Sequence, residues 1–163
     1  MRRLILLGKL LALPLLCLAF PATAAAATSI QSPGGASIVY SADPGQANAL
    51  TISRSGSNYV FTDAPAVAIT ATAPCVSVAN TASCPTATVR SFEVSLNDLN
   101  DAATVADSVA GEVRAAIFGG AGNDNLVGGK NIENQLNGDD FAGAGTDTLT
   151  GGDRDDRLID GGG

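Results

Sequence analysis

Gly, Asp and a large aliphatic residue recur at nine-residue spacing in the last third of this chain. That recurrence constrains the fold more than any other feature. Gly119-Gly120-Ala121-Gly122-Asn123-Asp124-Asn125-Leu126-Val127 is one copy. Ala142-Gly143-Ala144-Gly145-Thr146-Asp147-Thr148-Leu149-Thr150 is another, and Gly151-Gly152-Asp153-Arg154-Asp155-Asp156-Arg157-Leu158-Ile159 follows without a gap. The shared pattern is G-G-x-G-x-D-x-U-x, with U a large aliphatic residue. A register held through several copies points to stacked, near-identical units.

The pattern resembles the RTX (hemolysin-type) nonapeptide repeat of secreted bacterial calcium-binding proteins. The resemblance implies six turn positions and a three-residue strand per repeat. Two consecutive repeats then make one turn of a right-handed parallel β-roll. Glycine stands where the backbone takes positive φ or passes close to an ion. The turns aim carbonyl oxygens inward and the Asp adds a carboxylate, a ligand set that suits the hard cation Ca²⁺. Carried onto this chain, the implied ligands are Gly120, Gly122, Asn123, Asp124, Gly143, Gly145, Thr146, Asp147, Gly152, Asp155 and Asp156. Asp124, Asp147 and Asp156 supply the carboxylates. The implied cofactor is Ca²⁺, with Kd in the extracellular range of about 10⁻⁴ to 10⁻³ M.

The array is imperfect. Gly128-Gly129-Lys130-Asn131-Ile132-Glu133-Asn134-Gln135-Leu136 starts as a repeat, then puts Asn131 where Gly is expected and Glu133 where Asp is expected. Its Leu comes one place late. Asn tolerates the left-handed backbone, so Asn131 is a mild departure. The spacing from Leu126 to Leu149 is no multiple of nine. Either residues 138–141 bulge out, or Asp139-Asp140-Phe141 ends a degenerate repeat and the bulge lies earlier. Arg154 at a Gly position and Arg157 beside Asp156 should weaken the last site. The array stops within a further repeat at Asp160-Gly161-Gly162-Gly163, as expected of a piece of a longer protein or of a fraying end.

Residues 1–24 read as a secretory signal peptide. Met1-Arg2-Arg3 is the positive start, residues 10–20 are the apolar run, and Pro21-Ala22-Thr23-Ala24 offers a cleavage site. Ala25 to Ala27 leave the cut open. Pro14 and the short run after Lys9 argue against a spanning helix of about 20 residues, so no transmembrane segment is expected in the mature chain. Removal of the segment leaves six basic and sixteen acidic residues, a net charge of −10. That balance disfavours nucleic acid and anionic membranes as partners and favours divalent cations. Cys75 and Cys84 remain, and export makes a short-loop disulfide the expectation.

Residues 28–118 read as a β-rich region of short strands, and residues 119–163 as the calcium-binding repeats. Strands are expected at 37–40, 50–54, 58–62, 67–70, 75–78, 89–96, 104–105 and 113–118, with a hairpin around Ser55-Gly56-Ser57. Residues 98–111 admit a helical turn or a strand. Aromatic content of 4% with no Trp predicts a core without large aromatic anchors. RTX-bearing proteins often carry a similar β region, with a turn like Ala42-Asp43-Pro44-Gly45, an Asn like Asn48, a Cys pair, and a Leu-x-Asp-x-x-Asp stretch. Here that stretch is Leu96-Asn97-Asp98-Leu99-Asn100-Asp101. It reads as a worn-down repeat with Asp98 and Asp101 as calcium ligands, or as two Asp residues capping turns at a strand end, the reading favoured because the glycines of an ion loop are absent. The expected fold is therefore all-β, with the β region stacked on the first coil of a C-terminal parallel roll.

The chain has no His, which removes the commonest general base and zinc ligand. Neither His-Glu-x-x-His nor Gly-x-Ser-x-Gly occurs. The expectation is a non-catalytic, secreted, extracellular calcium-binding protein. The alternative is a fragment of a larger secreted hydrolase or surface adhesin, with the repeats as folding aid or spacer.

Overall fold

The computed structural model describes residues 28–139 and 145–161. The expected signal segment, and Asp140 and Phe141 of the register break, lie outside the described residues. The described chain is all-β, with no α-helix. No described helix is long and apolar enough to cross a membrane.

Fourteen described strands form two seven-stranded mixed sheets. In chain order they are β1 (Thr28–Gln31), β2 (Ser37–Ser41), β3 (Ala49–Ser55), β4 (Asn58–Thr62), β5 (Ile69–Ala71), β6 (Val76–Val78) and β7 (Thr81–Pro85). Then follow β8 (Ser91–Ser95), β9 (Ala102–Val105), β10 (Ala110–Gly120), β11 (Asn125–Val127), β12 (Asn131–Asp139), β13 (Thr148–Thr150) and β14 (Arg157–Ile159). The first sheet runs β14-β12-β10-β8-β2-β1-β5 and the second β13-β11-β9-β3-β4-β7-β6. From β8 onward, successive strands alternate between the sheets; β8 pairs in parallel with β2 and β9 with β3, and from β10 each strand pairs in parallel with the strand two places earlier. The antiparallel pairs lie among β1 to β7. β10 runs straight across residues 118 and 119, so both sheets continue unbroken into the Gly-rich repeats.

Period-two alternation explains the strands. In β2 and β8, Ile38, Tyr40, Phe92 and Val94 point inward while Ser, Val39 and Glu93 point away from the core. Parallel register then lines the inward residues into rows. One row is Tyr40, Val94, Ile117, Leu136 and Leu158. The facing sheet has Leu50, Ala103, Leu126 and Leu149. A single core joins both sheets, from Ile30 to Leu136.

The spacing from Leu126 to Leu149 is therefore one stacking step of the second sheet. Leu126 lies directly beside Leu149 on one flank and beside Ala103, an equal step back along the chain, on the other. The stacking step is longer than two nonapeptides because β10 and β12 are far longer than the short strands the motif predicts. Residues 98–111 form β9 and the start of β10 rather than a helical turn.

The core also differs from its expected character. Tyr40, Phe61 and Phe92 are among the most deeply buried side chains. Tyr59 and Phe61 meet Phe92 edge-on at centroid distances of 4.8 and 5.7 Å. Tyr40, Tyr59, Phe61 and Phe92 gather where β2 and β8 of one sheet face β4 of the other. Cys75 and Cys84 are joined by a disulfide that ties the approach to β6 onto β7.

Leu126 is fully buried and Leu158 is 46% exposed. Leu126→Ala is expected to cost about 2–5 kcal/mol in urea unfolding. Leu158→Ala should cost less than about 1 kcal/mol. Equal losses would contradict this packing.

Candidate metal centre

Two rows of turns join the sheets. One row carries the chain from the first sheet to the second, at residues 42–48, 96–101 and 119–124, and continues at 145–147. The other carries it back, at residues 106–109, 128–130 and 151–156.

In the first row each turn is bonded to the next through aspartate. The Asp101 carboxylate accepts the Asn48 N–H at 2.7 Å. Asp124 accepts the Asp101 N–H, and Asp147 the Asp124 N–H, both at 2.8 Å. Asparagines add a parallel set of bonds: Asn100 Oδ1 accepts the Asn123 N–H, and Asn123 Oδ1 the Thr146 N–H. Residues 96–101 thus lie in register under residues 119–124, and are more than an isolated pair of capped turns. Asn97 and Leu99 have φ of 77° and 75°, a positive φ that Gly120 and Gly122 share one layer later. Reading the sequence for glycine passes over this turn, because Asn97 and Leu99 do glycine's work. Positive φ is rare for a residue such as Leu, so the stacked neighbours must hold it there.

Each Asp in the row spends Oδ1 on the adjacent backbone. The second oxygens, Asp101 Oδ2, Asp124 Oδ2 and Asp147 Oδ2, are buried with no hydrogen-bond donor, as is Asn48 Oδ1. Asp101 is 3% exposed and Asp124 2%. An unsatisfied buried acceptor costs about 1–3 kcal/mol, and more when charged. Asp63, equally buried, shows what satisfaction looks like. It accepts from the Ala49 and Ala64 N–H groups, from Asn48 Nδ2, and from the Tyr40 hydroxyl. The orphaned oxygens also explain two glycines. Asp124 Oδ2 and Asp147 Oδ2 occupy the space that a Cβ would take on Gly119 and Gly138.

Burial chiefly pushes the Asp101 carboxyl up to about 7; the Asn48 N–H bond opposes this, while Asp124, Asp63 and Asp98 add to it. Burial, then the charges of Asp147 and Asp139, raise Asp124 against the bond from the Asp101 N–H.

The second row is closed by protein donors. Asp156 Oδ1 accepts from both the backbone N–H and Nδ2 of Asn134 at 2.8 Å, and Oδ2 accepts the Gly152 N–H. Asn134 in turn accepts the Gly129 N–H and donates to Gly129 O and Ile132 O. Asn134, rather than Glu133, is therefore the counterpart of Asp156. Glu133 faces outward and pairs with Arg114 at 2.8 Å. Leu136 comes late in its repeat because strand pairing sets it beside Leu158.

Of the ligands the motif implies, Gly120, Gly122, Asn123, Asp124, Gly145, Thr146 and Asp147 gather in the first row. Gly152, Asp155 and Asp156 fall in the second, and Asp155 is exposed. Gly143 lies outside the described residues. Among the described residues, no three His, Cys, Asp or Glu side chains come together closely enough to hold a metal. A cation held here would have to draw on backbone carbonyls beside the carboxylates, as Ca²⁺ sites commonly do. Comparisons with family models, with curated proteins and with solved structures gave no match.

A Cβ on Gly122 would collide with Leu99 O, and the residue's φ is +140°. Gly122→Ala is expected to cost about 2–4 kcal/mol in denaturant unfolding, and a neutral effect would contradict the stacking. The Asp101 pKa is raised above its unfolded value of 3.8 to about 7. Its contribution is then intact below about pH 4 and lost as pH rises through about 7. In chelator, Tm should fall across that window, and Asp101→Asn should flatten the fall.

Proposed function

We propose that this is an exported, non-catalytic calcium-binding protein whose chain from β8 onward is a parallel β-roll completed by Ca²⁺. The observation that carries the reading is the pair Asp124 Oδ2 and Asp147 Oδ2, buried acceptors without donors, in successive turns of the Gly/Asp motif. A divalent cation supplies the positive partner that the protein withholds. Asp124 and Asp147 would hold it with backbone carbonyls of the same turns, including those of Gly120, Gly122 and Gly145. Asn123 and Thr146 keep the turns stacked through their mutual bond. In the second row Asp156 already has its donors, so Gly152, Asp155 and Asp156 serve stacking first and ion binding weakly. Alternation of parallel strands between the sheets supports the roll, with a longer step than the nonapeptide implies.

The export reading draws on the basic and apolar start of the chain and on the Cys75–Cys84 disulfide. The non-catalytic reading draws on the lack of His and on the carboxylates being committed to turn stacking. Binding free energy adds to folding free energy. Low Ca²⁺ inside the cell would leave the like-charged row unsupported, and high Ca²⁺ outside would consolidate it.

At about 10 mM Ca²⁺ and a Kd of about 10⁻⁴ M, one site adds about 2.7 kcal/mol of stability. Thermal melts followed by far-UV circular dichroism should show Tm rising with Ca²⁺ and far less with Mg²⁺, which demands a tighter octahedral shell. Asp124→Asn and Asp147→Asn should each weaken the response about tenfold, a loss of about 1.4 kcal/mol. An unchanged Tm at that Ca²⁺ concentration would contradict the reading.

A further inference from the structure

The row of buried acceptors does not end where the glycine motif ends. Asn48 and Asp101 lie outside every nonapeptide, yet they head the same row. Residues 42–48 stack on residues 96–101 as the later turns stack on one another. Asn97 Nδ2 donates to Ala42 O, the Gly45 N–H donates to Asp98 Oδ1, and the Asn48 N–H donates to Asp101 Oδ1.

We infer that a divalent cation of the calcium class binds between these two turns, held by Asp101 Oδ2 and Asn48 Oδ1. The inference rests on the proposed function in taking Ca²⁺ as the ion of this row. Both oxygens belong to side chains of residues 3% exposed, and both lack a donor. The amide of Asn48 is oriented by its neighbours. Nδ2 donates to Asp63 Oδ2 at 2.7 Å and to the Tyr40 hydroxyl at 3.2 Å, which leaves Oδ1 as the acceptor without a partner. Asp63 supplies no ligand, because four donors already occupy it. It does add negative charge beside Asp101, as does Asp98. A carboxylate and an amide oxygen with nearby backbone carbonyls are hard ligands, suited to Ca²⁺ rather than to a soft metal. The site is invisible to the motif because Leu96 to Asp101 has no glycine.

The test is calorimetric titration of Ca²⁺ into the full chain and its Asp101→Asn variant. Asn keeps the oxygen that accepts the Asn48 N–H and removes the charge. The variant should bind one ion fewer, with the remaining ions retained. Equal stoichiometry and affinity in the two proteins would overturn the inference and make Asp101 a protonated structural acid. A wild type that binds no Ca²⁺ would overturn the proposed function as well, so the two failures are distinguishable. Should Asp101→Asn fail to fold, terbium(III) decides on the wild type. The chain has two tyrosines and no Trp, and Tyr40 is bonded to Asn48. Terbium held at Asn48 should emit on tyrosine excitation, and Tyr40→Phe should abolish that emission. Terbium binding without Tyr40-dependent emission would overturn the inference.

Discussion

One bond recurs three times along the edge of this sandwich: an aspartate oxygen accepts the N–H of the turn one layer earlier. It joins Asp101 to Asn48, Asp124 to Asp101, and Asp147 to Asp124. The bond fixes successive turns at sheet spacing and keeps the rows of Leu, Ile and Val in register behind them. It also has a consequence for charge. Each carboxylate is drawn inside, half satisfied, beside the next. Without a cation the row holds like charges in a poorly solvated place, which raises the pKa of Asp101 and Asp124. A divalent ion would resolve both the missing donors and the repulsion, which ties the proposed calcium binding to the architecture.

The two rows of turns do different work. In the second, Asn134 and Asp156 satisfy each other and the adjacent backbone, so the turns hold together unaided. In the first, the protein supplies only half the partners. The proposed binding therefore falls chiefly on one edge of the sandwich. The antiparallel half gives that edge a rigid beginning. Asp63, clasped by Tyr40, Asn48 and two backbone groups, fixes the turn at 42–48. The aromatic cluster of Tyr59, Phe61 and Phe92 packs behind it, and the Cys75–Cys84 disulfide ties down the far sheet. Each later turn is laid on a template that the first one sets.

Much of this was legible in the sequence. Alternation in Ser37–Ser41, Ala49–Ser55 and Asn58–Thr62 marked the strands, and the Gly/Asp register located Asp124 and Asp147. Other features resisted for physical reasons. A nine-residue frame turns the distance from Leu126 to Leu149 into an interruption, whereas strand pairing makes it the step. The sequence reads Asp101 as a turn cap ahead of a ligand because Asn97 and Leu99, not glycines, take the left-handed backbone of its turn. The strand Thr81–Pro85 carries small and polar residues and ends in Pro, so propensity gave it no weight. The burial of Tyr40, Phe61 and Phe92 cannot be read from overall composition, because few aromatics can still share one place.

Hydrogen exchange read by mass spectrometry, with and without Ca²⁺, tests most directly whether a cation completes one row of turns and not the other. The expected result is a large gain in protection at residues 96–101, 119–124 and 145–147, with little change at 128–130. Equal protection of both rows, or no change in either, would contradict it.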